Sequence, residues 1–254
     1  VTIKVDLVMA EFGSKRQNSN HQTFNNLNVG RDKFNPTLDS FIKYFSNIEG
    51  VEFSVSIYTD QDYTSQDESL TFIKKDPFFN PNHPRYGWRC NDYYKVQALL
   101  ESDADIAISL DSDMLIVSQE VETIIPLTKK FGIALPANPR MLVRVDGNIG
   151  SDGCITKKYD DSRGNGFSTN MSPIAFDTKN TRARTLLEEY SRHMIEDPVR
   201  GPLAMWRAQW TSGINPYVLP VQWCICNQDC GIGNEIILHL GNQPVIDHYL
   251  KDKG

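Results

Sequence analysis

The segment Ile106-Ala107-Ile108-Ser109-Leu110-Asp111-Ser112-Asp113-Met114-Leu115-Ile116-Val117 places two carboxylates, one serine apart, between two apolar runs. An apolar run bounded by polar punctuation reads as a buried strand. Carboxylates inside such a strand need compensating charge, because an unpaired buried carboxylate is costly or takes up a proton. Asp111 and Asp113 therefore belong where the strand emerges at the edge of an open sheet. Paired hard oxygens there suit Mg2+ or Mn2+, and either ion also binds phosphate oxygens. A second cluster, Cys224-x-Cys226-x-x-x-Cys230 with His239 or His248, has the residue types of a structural zinc site. Its Cys-x-Cys spacing is unusual for zinc, and buried thiols are the favoured reading.

The elements that must position the acids follow from periodicity. Ile3 to Met9 reads as a first strand, followed by a long Asn-, Ser- and Gly-rich loop from Ala10 to Arg31. Pro36 suits a first helical position, and Leu38, Phe41, Ile42 and Phe45 then recur at helical spacing up to Gly50. Val51 to Tyr58 reads as a second strand, and residues 60 to 88 as an irregular polar, Pro-rich and aromatic excursion. Asn91 is the expected cap of a helix with Tyr93, Val96, Leu99 and Leu100 on one face, leading into the acidic strand. A helix over Gln119 to Lys130, a strand over Phe131 to Leu135, a long loop over 136 to 166 and a strand at Ile174-Ala175-Phe176 follow. Asn180 then caps a helix with Leu186, Leu187, Tyr190 and Met194 inward, ended by Pro198. Beyond it, one apolar strand is legible, at Ile236 to Leu240. Alternating strands and helices predict an α/β sheet with right-handed crossovers, whose ligands bind beyond the carboxyl ends of the strands.

The chain has 254 residues, 40% of them hydrophobic and 23% charged, which fits an ordinary globular protein. A formal net charge of -6 weighs against a general nucleic-acid binder. No apolar run has the length of a membrane span, and no signal peptide is visible. The chain opens on Val1, which leaves room for a leader, anchor or flanking domain ahead of it. Five cysteines, Cys90, Cys154, Cys224, Cys226 and Cys230, make no disulfide framework. The single Asn-x-Ser sequon at Asn170 is followed by Pro173. Together these favour the cytoplasm over the Golgi lumen. No repeat, low-complexity tract or linker divides the chain, so residues 1–254 are expected to form one domain.

The Asp-x-Asp resembles the metal site of GT-A glycosyltransferases, which use nucleotide-sugar donors. Four other segments, in the expected order from Lys95 to Pro244, resemble the glycogenin-like and galactosyl-transferring families of that group. Lys95 lies 16 positions before Asp111, a separation similar to that of the family's donor-contacting lysine, with Arg89 as an alternative cation. Gly166-Phe167-Ser168-Thr169-Asn170-Met171-Ser172 before Pro173 looks like the family's Asn-Ser-Gly segment that lines the sugar pocket. It carries over Asn170 and, less fully, Ser172. Ala208-Gln209-Trp210 with Asn215, Leu219-Pro220 and Trp223 looks like a family pattern in which Ala208 is an Asp; Gln209 would face the donor sugar, and Trp210 and Trp223 offer stacking surfaces. Ile236 to Pro244 looks like the His-x-x-Gly-x-x-Lys-Pro element, one residue shorter, with His239 as a third metal ligand and Gln243 in place of the lysine that grips the diphosphate. With that lysine lost, diphosphate contacts through Gln243, Lys251 or Lys95 are the weaker expectation.

The resemblance implies a single-domain, Rossmann-like GT-A fold with a mixed, mostly parallel central sheet flanked by helices. Its nucleotide-binding part would span about 1–117 and its acceptor-side part about 118–254. It implies a nucleoside-diphosphate sugar donor, a UDP-sugar above all, and a glycan or glycoprotein acceptor. Asp111, Asp113 and His239 would hold Mn2+ or Mg2+; Lys95, Asp111, Ser112, Asn170 and Gln243 would contact the donor; Gln209 and Asp113 would serve the reaction. The pattern leans towards retention of configuration; an inverting enzyme would need a base, for which Asp152, Asp161, Asp229 and Asp247 are available. The same acidic pair also resembles that of haloacid-dehalogenase-type phosphatases, with Asp111 as nucleophile and Asp113 as acid, but that family places it on its first strand. A nucleotide-sugar-binding module without activity is the third alternative, permitted by Ala208.

Overall fold

The computed structural model describes residues 2–12, 31–60, 62, 70–82, 86–112, 114–141, 167–196, 201–225 and 233–239. Its elements run β1 (Ile3–Glu11), α1 (Arg31–Phe45), β2 (Val51–Thr59), β3 (Leu70–Lys74), α2 (Tyr86–Glu101), β4 (Ile106–Ser109) and β5 (Met114–Ile116). A 3-10 turn, Gln119–Thr123, leads into α3 (Ile124–Phe131). Then come β6 (Ile133–Met141), β7 (Phe167–Thr169), β8 (Ile174–Asp177), α4 (Thr181–Glu196), α5 (Gly201–Ser212), β9 (Tyr217–Leu219) and β10 (Ile237–His239).

Eight strands form one sheet in the order β3-β2-β1-β4-β8-β6-β7, with β9 beside β6. β3, β2, β1 and β4 are mutually parallel; β8 runs antiparallel between β4 and β6, β7 is antiparallel to β6, and β9 parallel to it. β5 and β10 form a separate antiparallel pair. All four residues of β4 are buried, the expected state of a central strand covered on both faces.

Alternate residues of the strands feed two cores. On one face Val8, Ala10, Phe12 and Ala107 pack against α2, α4 and α5. On the other, Val5, Leu7, Met9, Ile106 and Ile108 pack against α1, α3 and the β5–β10 pair. This period of two sandwiches the sheet between helical layers. From β1 the chain moves outward through α1 to β2 and β3, then returns through α2 to β4 on the other side of β1. The switch point therefore lies between β1 and β4, and in sheets of this kind ligands bind beyond the carboxyl ends of the strands there.

Several expectations change. The Ile106–Val117 run is two strands in two sheets, broken by a turn in which the Met114 N–H donates to the Asp111 carbonyl at 3.2 Å. α1 starts at Arg31, so Pro36 sits inside it rather than at its first position, at the cost of one backbone N–H donor. α2 starts at Tyr86, so Asn91 is not its cap; the buried Asn91 Oδ1 instead accepts from the Phe12 N–H at 3.1 Å, holding the end of β1. The helix expected over Gln119 to Lys130 divides at Ile124, where a Ser118-capped 3-10 turn becomes α3. β3, α5 and β9 add elements that periodicity did not reveal. Asn180 does cap α4, its Oδ1 accepting from the Ala183 N–H at 2.9 Å, and Leu186, Leu187, Tyr190 and Met194 are buried.

Candidate active site

The acidic turn is fastened from four directions. Parallel pairing sets Val8 beside Ser109. Continuing that register by three residues brings Glu11 beside Ser112, and the buried Ser112 Oγ donates to Glu11 Oε2 at 2.6 Å. From the segment before β8, Ser172 Oγ accepts the Asp111 N–H at 3.0 Å. From α2, the Lys95 ammonium donates to Asp111 Oδ1 at 3.2 Å and pairs with Asp92 Oδ1 at 3.3 Å. From α1, Thr37 Oγ1 donates to the Met114 carbonyl at 2.7 Å and Ser40 Oγ accepts the Ile116 N–H at 3.1 Å, pinning the strand that leaves the turn.

The electrostatics follow from exposure. The Lys95 side chain is 3% exposed, whereas Asp111 remains 25% exposed and reachable from solvent. Burial alone would push the Lys95 ammonium towards neutrality; Asp111 and Asp92 outweigh it and hold its pKa above the ordinary lysine value. A buried positive charge thus stands beside the reachable carboxylate, at the carboxyl end of β4.

His239 enters by strand pairing. In the β10–β5 ladder it stands directly opposite Met114, the residue after Asp113, and its backbone N–H donates to the Ile225 carbonyl at 3.0 Å. Residues far apart in sequence thereby come abreast of the acidic turn. Asn170 is buried at the rim, its N–H donating to the Pro136 carbonyl at 2.8 Å. Gln209 is half-buried on α5, about 12 Å along the helix axis from Gly201. Among the described residues it makes no hydrogen bond to Lys95 or Asp111. Ala208 is fully buried in the apolar core between α5 and its neighbours, where a carboxylate would lack water. Trp223 and Cys224 are core residues, while Trp210 is 62% exposed and stacks on Trp206.

Asp113 and Gln243 lie outside the described residues, as do Lys251, Asp152, Asp161, Asp229, Asp247, Cys226, Cys230 and His248. Among the described residues no group of three His, Cys, Asp or Glu side chains forms a metal-holding cluster. Sequence reasoning missed Glu11, Thr37, Ser40, Asn91 and Asp92. Glu11 carried a legible signal, an acid just beyond the apolar run of the first strand; the others act through tertiary contacts.

No protein-family model matches the sequence, and no curated protein sequence matches it. Solved structures are similar to it. The galactosyltransferase LgtC, in complex with donor and acceptor sugar analogs, is 8% identical, with 93% of this chain and 86% of that one covered at a TM-score of 0.55. The apo structure of the bifunctional glycosyltransferase WbbM is 10% identical, with 94% of this chain and 45% of that one covered at a TM-score of 0.53. The 4-diphosphocytidyl-2C-methyl-D-erythritol synthase of Anaerococcus prevotii DSM 20548 is 11% identical, with 98% and 99% covered at 0.50. The chain has a Rossmann-like GT-A fold.

The solvent-reachable carboxylate of Asp111 is the donor type that suits a hard divalent cation, and His239 stands across the strand pair from Met114. No helix of the described residues is long and apolar enough to cross a membrane.

Proposed function

We propose that the protein is a metal-dependent glycosyltransferase, moving a sugar from a nucleoside-diphosphate sugar, a UDP-sugar in the first place, to a hydroxyl of a glycan or glycoprotein. The observation that most supports this reading is the solvent-reachable Asp111 carboxylate just beyond β4, with the His239 backbone paired opposite Met114 where the next strand begins. Asp111, Asp113 and His239 would hold Mn2+ or Mg2+. When bound, such an ion neutralises charge on a departing diphosphate.

The chain's own residues do the rest. Lys95 adds a fixed positive charge at the same place, already oriented by two carboxylates, so little reorganisation accompanies charge development. Glu11 and Ser172 hold the turn so that Asp111 keeps its aim while the donor binds. Asn170 and Gln243 would contact the donor, and Gln209 would approach the reacting sugar from α5. Residues 1–117 would bind the nucleotide and residues 118–254 the acceptor.

A panel of UDP-, GDP- and dTDP-sugars, each with Mn2+ and with EDTA, tests the reading by thermal shift and by donor hydrolysis. Stabilisation that needs Mn2+, is lost in Asp113→Ala and accompanies release of a nucleoside diphosphate is expected. Pyrophosphate release from a nucleoside triphosphate and a sugar phosphate would assign nucleotidyl transfer instead. Turnover of a simple phosphate ester through a phosphoaspartate would assign a phosphatase. Nucleotide binding with no turnover on any acceptor would leave a binding module.

A further inference from the structure

Five segments close a ring around Asp111, and one of its members, the Asp92 that helps to orient Lys95, also holds a second helix. Asp92 stands one helical turn before Lys95 on α2. Its Oδ1 pairs with Lys95 Nζ at 3.3 Å, and its Oδ2 accepts the Gly201 N–H, the first of α5, at 3.0 Å. Its backbone carbonyl accepts the Tyr190 hydroxyl of α4 at 2.9 Å. Gly201 in turn lies so close that an added Cβ would sit 2.8 Å from Met171 Cγ and 3.1 Å from Asp92 Cγ. Met171 adjoins Ser172, whose Oγ accepts the Asp111 N–H, and Asp111 returns to Lys95 at 3.2 Å.

We propose that Asp92 is a positioning residue for donor binding: by dividing its carboxylate between Lys95 and the start of α5, it fixes the ammonium at the acidic turn and locks α5 to the same frame. The inference rests on the donor reading. The geometry favours positioning over simple packing because the two oxygens have separate tasks. One holds a helix, which a neutral amide oxygen also does. The other holds a buried cation, which needs the charge.

The separation gives the test. The Kd of UDP, GDP, CDP and dTDP is measured with saturating Mn2+ by calorimetry, and the tightest is carried forward. Asp92→Asn keeps an acceptor for the Gly201 N–H and removes the charge. It is expected to weaken that nucleotide about tenfold while the unliganded Tm falls by only a few degrees. Asp92→Glu, which restores the charge on a longer stem, is expected to recover part of the affinity. A lowered Tm in Asp92→Asn with an unchanged Kd would make Asp92 merely structural and overturn the proposal. An equal loss in Asp92→Glu and Asp92→Asn would also overturn it, since charge would then not matter. If the wild type binds none of the four nucleotides, the donor reading itself falls and takes this proposal with it; binding by the wild type with an unaltered Asp92→Asn removes this proposal alone.

Discussion

Lys95 is the residue on which the electrostatics around Asp111 depend. It is sealed from solvent between Asp92 and Asp111, so its removal leaves two carboxylates facing each other without their common cation. Lys95→Ala is expected to lower stability by about 3 kcal/mol, the low end for breaking a buried ion pair because Asp111 keeps some solvent. Urea denaturation reads this directly. Ser112→Ala removes a buried hydrogen bond to a carboxylate and is expected to cost about 2 kcal/mol by the same assay. The approach of Lys95 to Asp111 was legible as a lysine 16 positions ahead of the acid, on the helix that leads into its strand. Asp92 was harder, because a lone acid acquires its meaning only from the neighbours that the fold brings to it.

At the scale of elements, two packing points are open to test. Gly132 ends α3 at φ 84°, and a Cβ there would strike the Asn180 side chain that caps α4. Gly132→Ala therefore disturbs the end of one helix and the start of another, and is expected to cost about 2 kcal/mol or more in denaturant unfolding. His193, buried between α4 and α5, has its pKa pushed down to about 4, first by burial and then by Arg192. The unfolded chain thus binds the proton more readily, so stability falls as pH drops from about 6.5 towards 4. The contribution reaches up to about 3 kcal/mol, and His193→Gln is expected to flatten this part of the pH–stability curve.

The helices with a single apolar stripe, α1 and α4, were legible because burial on one side leaves a period in the sequence. α5 was not: Leu203, Ala204, Met205 and Ala208 are buried on several sides of a helix wedged against α4 and the sheet, which erases the stripe. β3 hid for the opposite reason, as an edge strand with only Leu70 buried. The residue type of Asn91 suits a cap, yet the fold uses its amide to secure β1.

At the scale of the whole molecule, strand order makes the site. β1 and β4 are adjacent although α1, β2, β3 and α2 separate them in the chain, and Ser112 Oγ joins their carboxyl ends by donating to Glu11. The β5–β10 pair then folds His239 back to the same place from far along the sequence. This order also weighs against the phosphatase alternative, since the acidic turn follows β4 rather than the first strand. Similar solved structures share the architecture at 8–11% identity, so what distinguishes this chain lies in the residues around its acidic turn.

The most direct measurement is the location of manganese by anomalous scattering in crystals grown with Mn2+ and the nucleotide sugar that stabilises the protein most. The account predicts a peak within ligand distance of Asp111, Asp113 and His239, bridged to the diphosphate. A peak, or a diphosphate, seated away from the turn between β4 and β5 would contradict it.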